Sequence, residues 1–496
     1  MKTKIRNEFV MALLICLAFS FGACSQWLDV QPNTQATEEQ QLNSEQGYID
    51  ALVGTYQKLA ATESYGKELT FGTLDVLAQI YENKSNQTVD IYGQLARYNY
   101  SDASVQSSVR SIWSTQYSII AQTNYILKDI DSKKALFTGH NYNLVKGEAL
   151  AIRAMVHFDL LRLFAPAPAA IENVSEGTIP YMTSFSVNPI RSESMQLILN
   201  AIIQDLESAE TLLAVFPEID QIRDNANNTD LEIFTMFRQN RLNYWAVKGL
   251  LARVHLYAGN EMAAFEYATE VIGSTHFFFI NGNTNTTNPT LATSNTIFST
   301  EHIFSLYKSD LKSVSDRFFK TESSAGETED LFSTLANLNN WYEVSVAGHA
   351  IDIRGPQASA SRWSQFNATT VYSTKYHVGT NVNNVNQKLV PLLKLAEMYY
   401  IAAESSPTIE QALEYLNVVR EARLIPALSA TTINTQAMLD NELFKEYRKE
   451  FYAEGQLWYY YKRKNVTTLQ NTVGGTMNND KYVLPKPNEE IEFGLN

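Results

Sequence analysis

Cysteine is almost absent from this chain: there are two, Cys16 and Cys24, in 496 residues. Everything after residue 24 lacks thiols, which excludes disulfides, cysteine nucleophiles and cysteine-ligated zinc there. Glycine (21) and proline (13) are scarce for the length, so long stretches carry no helix breaker. Cations are outnumbered, 39 Lys and Arg against 53 Asp and Glu, for a formal charge of -14. Such a chain lacks the basic footprint that nucleic acid requires. Beyond the first two dozen residues no apolar run is long enough to cross a bilayer.

Motifs of common chemistry are missing as well. There is no phosphate-cradling glycine loop, HExxH zinc site, nucleophile elbow or EF-hand loop. The seven histidines are scattered, and His157 and His255 fall inside amphipathic helices, where packing accounts for them. Asp224 to Asp230 (DNANNTD) offers oxygens for calcium but lacks the turn glycine and the closing acid of a calcium loop. It reads as a solvated loop, and neither a metal nor a cofactor is expected.

The start of the chain is a targeting segment. Lys2, Lys4 and Arg6 precede an apolar run from Phe9 to Phe21, and Gly22-Ala23 lead into Cys24. That layout is a secretory signal. Small residues directly before a cysteine resemble a bacterial lipobox, with Phe21 in place of the usual Leu, and make Cys24 the lipidated N-terminus. Residues 1–23 are then the signal and 24–43 the lipidated end and tether.

From Ser44 onward the pattern is helical. Ile49, Leu52, Val53, Tyr56 and Leu59 share a face, and Ile112, Tyr117, Ile120, Tyr125 and Leu127 do much the same. Gly147 to Phe164 turns Leu150, Ala151, Ala154, Phe158 and Leu161 to one side and stops at Ala165-Pro166. Gln196 to Leu213 turns Leu197, Ala201, Ile202, Leu206 and Ala209 inward. Asn243–Ala258 with Met262–Ile272, and Leu392–Glu404 with Ile409–Ala422, read as helical hairpins of the tetratricopeptide type. Residues 44–277 and 390–496 form the two parts of a helical scaffold.

Between them, residues 278–389 change character. Asn281 to Asn295 is Asn/Thr-rich loop, while Thr296–Tyr307 and Thr369–Tyr376 alternate like short strands. Trp341, Tyr342, Trp363, Tyr372 and Tyr376 lie here without a helical stripe to absorb them. They are either stacking surfaces for a sugar ring or the packed interior of this segment.

Leu443 to Arg463 carries Phe444, Tyr447, Phe451 and Trp458 as an apolar stripe. Glu442, Glu446, Glu450 and Glu454 follow one another at i,i+4 beside it. Like charges in that register cost an isolated helix about 0.2–0.5 kcal/mol per pair, so the row needs partners. Paired carboxylates can do acid–base work, but usually across a cleft from separate elements. With Lys445, Arg448, Lys449, Lys462 and Arg463 close by, structural ion pairing is the reading taken here.

Several stretches in order resemble one family. They are Trp27-Leu28-Asp29-Val30 after Cys24; Trp113 with Tyr117 and Asn124; Gly147-Glu148-Ala149 through Arg153-Ala154 to Arg162-Leu163-Phe164; and Lys248-Gly249 through Leu256-Tyr257-Ala258-Gly259. Leu395-Ala396-Glu397, Arg420, Arg448 to Trp458, and the closing Leu484-Pro485-Lys486-Pro487 complete the set. Together they resemble the SusD/RagB family of outer-membrane nutrient-binding lipoproteins of the Bacteroidetes. Gln456 and Tyr460-Tyr461-Lys462 depart from its usual pattern.

The resemblance implies a mainly α fold, a tetratricopeptide-like helical-pair scaffold with an irregular, loop-rich ligand-binding subdomain. It implies a cell-surface lipoprotein on the outer membrane that is not an enzyme. Such a protein captures oligosaccharide, or else peptide, and hands it to a SusC-like TonB-dependent transporter. Its shared motifs are scaffold residues and bring no ligand site with them. The candidate ligand residues, Trp341, Tyr342, Trp363 and Tyr81, therefore rest on composition. A surface glycoside hydrolase, or a helical scaffold that binds only protein partners, is the competing expectation.

Overall fold

The computed structural model describes residues 41–86, 89–171, 174–219, 233–280, 295–319, 330–359, 361–367, 369–376, 388–469 and 475–495. Cys24 with the signal and most of the tether, the Asp224–Asp230 segment and nearly all of the Asn281–Asn295 loop lie outside these residues.

The body of the described residues is built on a stack of helices. They are α1 (Glu45–Leu59), α2 (Ala103–Leu127), α3 (Asn141–Phe164), α4 (Met195–Leu213), α5 (Tyr244–Tyr257), α6 (Glu261–Gly273), α7 (Leu395–Glu404) and α8 (Ile409–Ala422). Their starts are written in the sequence as side-chain caps. Asp102 accepts the Ser104 amide at 2.9 Å, Asn243 that of Ala246 at 2.9 Å, and Thr408 that of Gln411 at 3.2 Å. Each satisfies a backbone donor that the first helical turn leaves open.

The helices stack in order: α2 on α3, α3 on α4, α4 on α5, α5 on α6, α6 on α7 and α7 on α8. Each element mainly touches its neighbours, as in helical-repeat arrays. Ala252, Ala264 and Ala268 are fully buried at the α5–α6 approach, where their small side chains let the backbones come close. The mainly α, helical-pair reading of the sequence describes this body.

α3 is its centre. Nearly every side chain from Leu144 to Phe164 is buried, charged ones included. Its periodicity predicts one inward face, but it is enclosed on all sides. In α4, Leu197 is 54% exposed rather than inward. The buried stripe there runs through Ile198, Leu199, Ile202, Leu206, Ala209 and Leu213, and Leu197 falls off it.

Among the described residues there are also three two-stranded antiparallel sheets. β1 (Gly177–Pro180) pairs with β2 (Ser192–Ser194), β3 (His302–Tyr307) with β6 (Leu389–Lys394), and β4 (Trp363–Gln365) with β5 (Val371–Ser373). The β3–β6 pair stitches the irregular segment to the start of α7.

The Leu443–Arg463 stretch is two helices rather than one. α9 (Gln436–Glu450) ends, and α10 (Gln456–Arg463) begins after a turn. Ala453 and Gly455 hold φ of 61° and 75°, left-handed values that stop a right-handed helix. A β-carbon at Gly455 would lie 2.6 Å from the carbonyl oxygen of Leu69. Only glycine fits both the angle and the space. A last short helix, α11 (Asn488–Phe493), buries none of its residues.

Candidate ligand-binding cleft

The glutamate row is occupied by cations. Arg420 donates to Glu446 at 3.0 Å, and Arg354 reaches Glu446 at 2.9 Å and Glu450 at 3.1 Å. Arg423 bridges Glu450 at 2.9 Å and Glu301 at 2.5 Å, while Lys394 joins Glu450 at 2.6 Å to Glu454 at 3.1 Å. Burial by itself would raise the Glu446 carboxyl, but Lys449, Arg354 and Arg420 hold it at about 2. Glu450 is held well below the usual range against the same burial by Arg423, Lys394 and Arg354. Carboxylates fixed in this way tie α8, α9 and β6 together; they are built into the scaffold.

The four aromatics named from the sequence do come together, but inside the protein. Tyr81, Trp341 and Tyr342 are each 2% exposed and Trp363 8%. The rings of Tyr81, Trp341 and Trp363 converge on Tyr452, with centroids 5.7, 6.4 and 4.3 Å away. The Trp363 indole N–H donates to the Arg354 carbonyl at 2.8 Å, and the Tyr342 hydroxyl to that of Lys449 at 3.3 Å. The cavity beside Tyr342 and Trp363 measures about 20 Å³, room for a water and not for a sugar ring. Packing, the other reading left open for Trp341 and Trp363, is where the structure places them.

A larger opening lies elsewhere, a cleft of about 710 Å³ between α2, the loop after β1 and the C-terminal segment. α2 supplies Trp113, Tyr117 and Asn124, the loop supplies Met182 and Ser184 to Ile190, and the far wall is Glu490 and Gly494. Its volume falls in the range of small-ligand sites, and its lining mixes apolar surface with a few polar groups.

The loop wall is held by buried side chains of the helices. Tyr117 donates its hydroxyl to the Pro180 carbonyl at 2.9 Å, and Asn124 its amide to that of Met182 at 2.9 Å. Arg153 from α3 grips Asp205 of α4 through two bonds of 2.7 Å and donates to the Asn124 side-chain oxygen at 2.9 Å. Asp205 in turn receives the Tyr181 hydroxyl at 2.6 Å. His157 stacks on Tyr181, with ring centroids 4.0 Å apart, and accepts the Met182 amide at 3.0 Å. Burial pushes the His157 imidazole down to about 3, so it stands neutral near pH 7.

Above this fixed base the loop turns outward. Phe185 is 43% exposed and leans on Tyr125 at 5.3 Å, and Val187 is fully exposed. Trp113 forms the floor, packed edge-on against Phe164 at 4.7 Å. Glu490 is half-buried; its carboxyl is raised by burial, with Lys486 opposing. Burial, and after it the charge of Glu490, raises the Tyr117 phenol, and both residues line the cleft. Among the described residues no group of three His, Asp or Glu is placed to hold a metal.

Two family patterns divide the chain between them. The pattern described as "Starch-binding associating with outer membrane" matches residues 26–228, and that of the SusD family matches residues 273–493. The chain belongs to the SusD/RagB family.

Two SusD-like proteins of Formosa agariphila are similar. One is 26% identical over 312 residues, which span 61% of this chain and 52% of that protein, about half its length. The other is 22% identical over 529 aligned residues, spanning 97% and 96%. Solved structures share the fold. A SusD superfamily protein from Bacteroides thetaiotaomicron superposes with a TM-score of 0.67 at 20% identity, covering 91% of this chain and 98% of that one. A SusD-like carbohydrate binding protein from Bacteroides vulgatus gives 0.66 at 17% identity, covering 90% and 96%.

In this SusD/RagB chain, Tyr117, Asn124 and Arg153, members of the motifs that carried the resemblance, hold the cleft wall. The exposed residues of the cleft, Phe185 and Val187, belong to no motif and were missed from sequence. Two apolar residues in a short polar loop ending in Pro189 were the signal available. No described helix is long and apolar enough to cross a membrane.

Proposed function

We propose that the protein is a carbohydrate-binding protein of the outer membrane. It captures oligosaccharide in the cleft and delivers it to a TonB-dependent transporter of the SusC type. The observation that supports this reading is the cleft itself, where an exposed ring at Phe185 and an apolar floor at Trp113 stand beside Asn188, Ser184, Ser186 and Glu490. Sugar rings offer apolar C–H faces to aromatic side chains and hydroxyls to polar ones, and this lining serves both. Family membership and the carbohydrate-binding relative of the same fold agree with it. Lipidation at Cys24 would tether the chain, with residues up to about 43 as the spacer.

Binding by such a site needs no covalent step, and the glutamate row, locked in ion pairs, supplies none. The test is a glycan and peptide array probed with the full chain and with Phe185→Ala. Oligosaccharide binding that Phe185→Ala weakens supports the reading. Binding confined to peptides, or glycan binding indifferent to Phe185, contradicts it. Co-purification of a TonB-dependent transporter with the native protein tests delivery, and loss of membrane fractionation in Cys24→Ala tests the tether.

A further inference from the structure

We infer that Glu490 sets the charge preference of the cleft, so that neutral glycans are taken and glycans bearing carboxylates or sulfates are turned away. This rests on the reading of the cleft as a glycan site.

Among the described residues lining the cleft, Glu490 alone is charged, and none is Lys, Arg or His. An acidic sugar would therefore meet a carboxylate and no cation in the cleft lining. Behind the wall Arg153 is committed to Asp205 and to the Asn124 side chain, and Arg110 and Lys486 line a separate recess. There Arg110 is already engaged by Glu489 at 2.5 Å. The chain as a whole, at -14, adds to the repulsion.

The position of the carboxylate is built in. A β-carbon on Gly494 would fall 2.8 Å from the Glu490 Oε1 and 2.3 Å from its backbone oxygen. The Glu490 side chain thus folds back over Gly494, and both residues line the same wall. The Leu495 carbonyl accepts the Ser192 amide at 3.2 Å, which fixes this end of the chain to the β1–β2 sheet. A half-buried carboxylate is screened less by salt than an exposed one. Toward a neutral sugar it is an asset, because a hydroxyl donating to an ionised oxygen makes one of the stronger hydrogen bonds.

The experiment measures binding of neutral glucan, mannan and galactan oligosaccharides, and of the same panel oxidised at C6 to uronates. The proteins are the full chain and its Glu490→Gln, Gly494→Ala and Phe185→Ala variants. α11 buries no residue, so Glu490→Gln is expected to fold normally. The wild-type protein should bind a neutral oligosaccharide at least about tenfold more tightly than its uronate. Glu490→Gln should narrow that gap several-fold by improving uronate binding, and Gly494→Ala, which displaces the carboxylate, should narrow it in part. Equal affinity for the two panels, or a gap unchanged in Glu490→Gln, overturns the inference. If neutral binding is indifferent to Phe185→Ala, or no glycan binds, the reading of the cleft falls and the inference with it. If binding depends on Phe185 but the gap survives Glu490→Gln, the inference alone fails.

Discussion

The backbone N–H of Met182 donates to Nε2 of His157 at 3.0 Å, while Nδ1 of the same ring lies 2.8 Å from the Arg153 carbonyl. Nδ1 must carry the proton and Nε2 must not, so the imidazole is neutral wherever the cleft wall is in place. A histidine inside α3 thus sets the geometry of a loop far away in sequence.

That relationship has a pH signature. The folded-state value, about 3, lies below the ordinary 6.5 of an unfolded chain. The stability that His157 contributes is fully present above pH 6.5. It is lost as pH falls from there toward 3, by about 1.4 kcal/mol per pH unit, because only the unfolded chain takes up the proton. Unfolding free energies from urea titrations between pH 7 and pH 4 should decline in the wild type. In His157→Gln, which keeps an acceptor for Met182, the slope should flatten by one proton.

The glutamate network titrates lower. Glu446 has a folded value of about 2, beneath the usual 4.3 or so. Its contribution is complete above about pH 4.5 and drains away as pH falls toward 2. Glu450→Gln strips one carboxylate from Arg423, Lys394 and Arg354 at once. Removing one partner of a buried ion pair costs about 3–5 kcal/mol. Chemical denaturation should show a loss of that size, and glycan affinity in the folded fraction should be unchanged.

Trp363→Ala should act in the same way. The indole is packed on Tyr452 and bonded to Arg354, and emptying such a site costs about 3–5 kcal/mol. Differential scanning calorimetry should register a lower melting temperature. A Trp363→Ala protein that kept its stability but lost its ligand would return the binding site to the irregular segment.

Gly455→Ala should also destabilise, by more than about 1 kcal/mol. It combines a left-handed φ with a methyl driven onto the Leu69 carbonyl. The same denaturation measurement checks it.

The helical body was legible because its signals are local. The 3.6-residue stripes and the stop at Pro166 belong to single segments. What sequence could not resolve was set by distant partners. Trp341 and Trp363 look unplaced until Tyr452, far along the chain, packs against both. Glu454 looks like the fourth member of a helical row until the left-handed turn at Ala453 and Gly455 ends α9 before it. The cleft is assembled from α2, a loop and the C-terminal segment, whose contacts leave no periodic trace. Its supporting residues stood out as motifs, while the exposed Phe185 and Val187 did not.

The most direct test of the account compares glycan affinity in Phe185→Ala and Trp363→Ala by titration calorimetry of folded protein. Phe185 is a surface ring and its removal should leave stability near wild type. By analogy with stacking of bases on aromatic side chains, it should cost about 1–3 kcal/mol of binding. Trp363→Ala should lower stability and leave affinity within a factor of two. The opposite pattern, with affinity lost at Trp363 and kept at Phe185, would contradict the account.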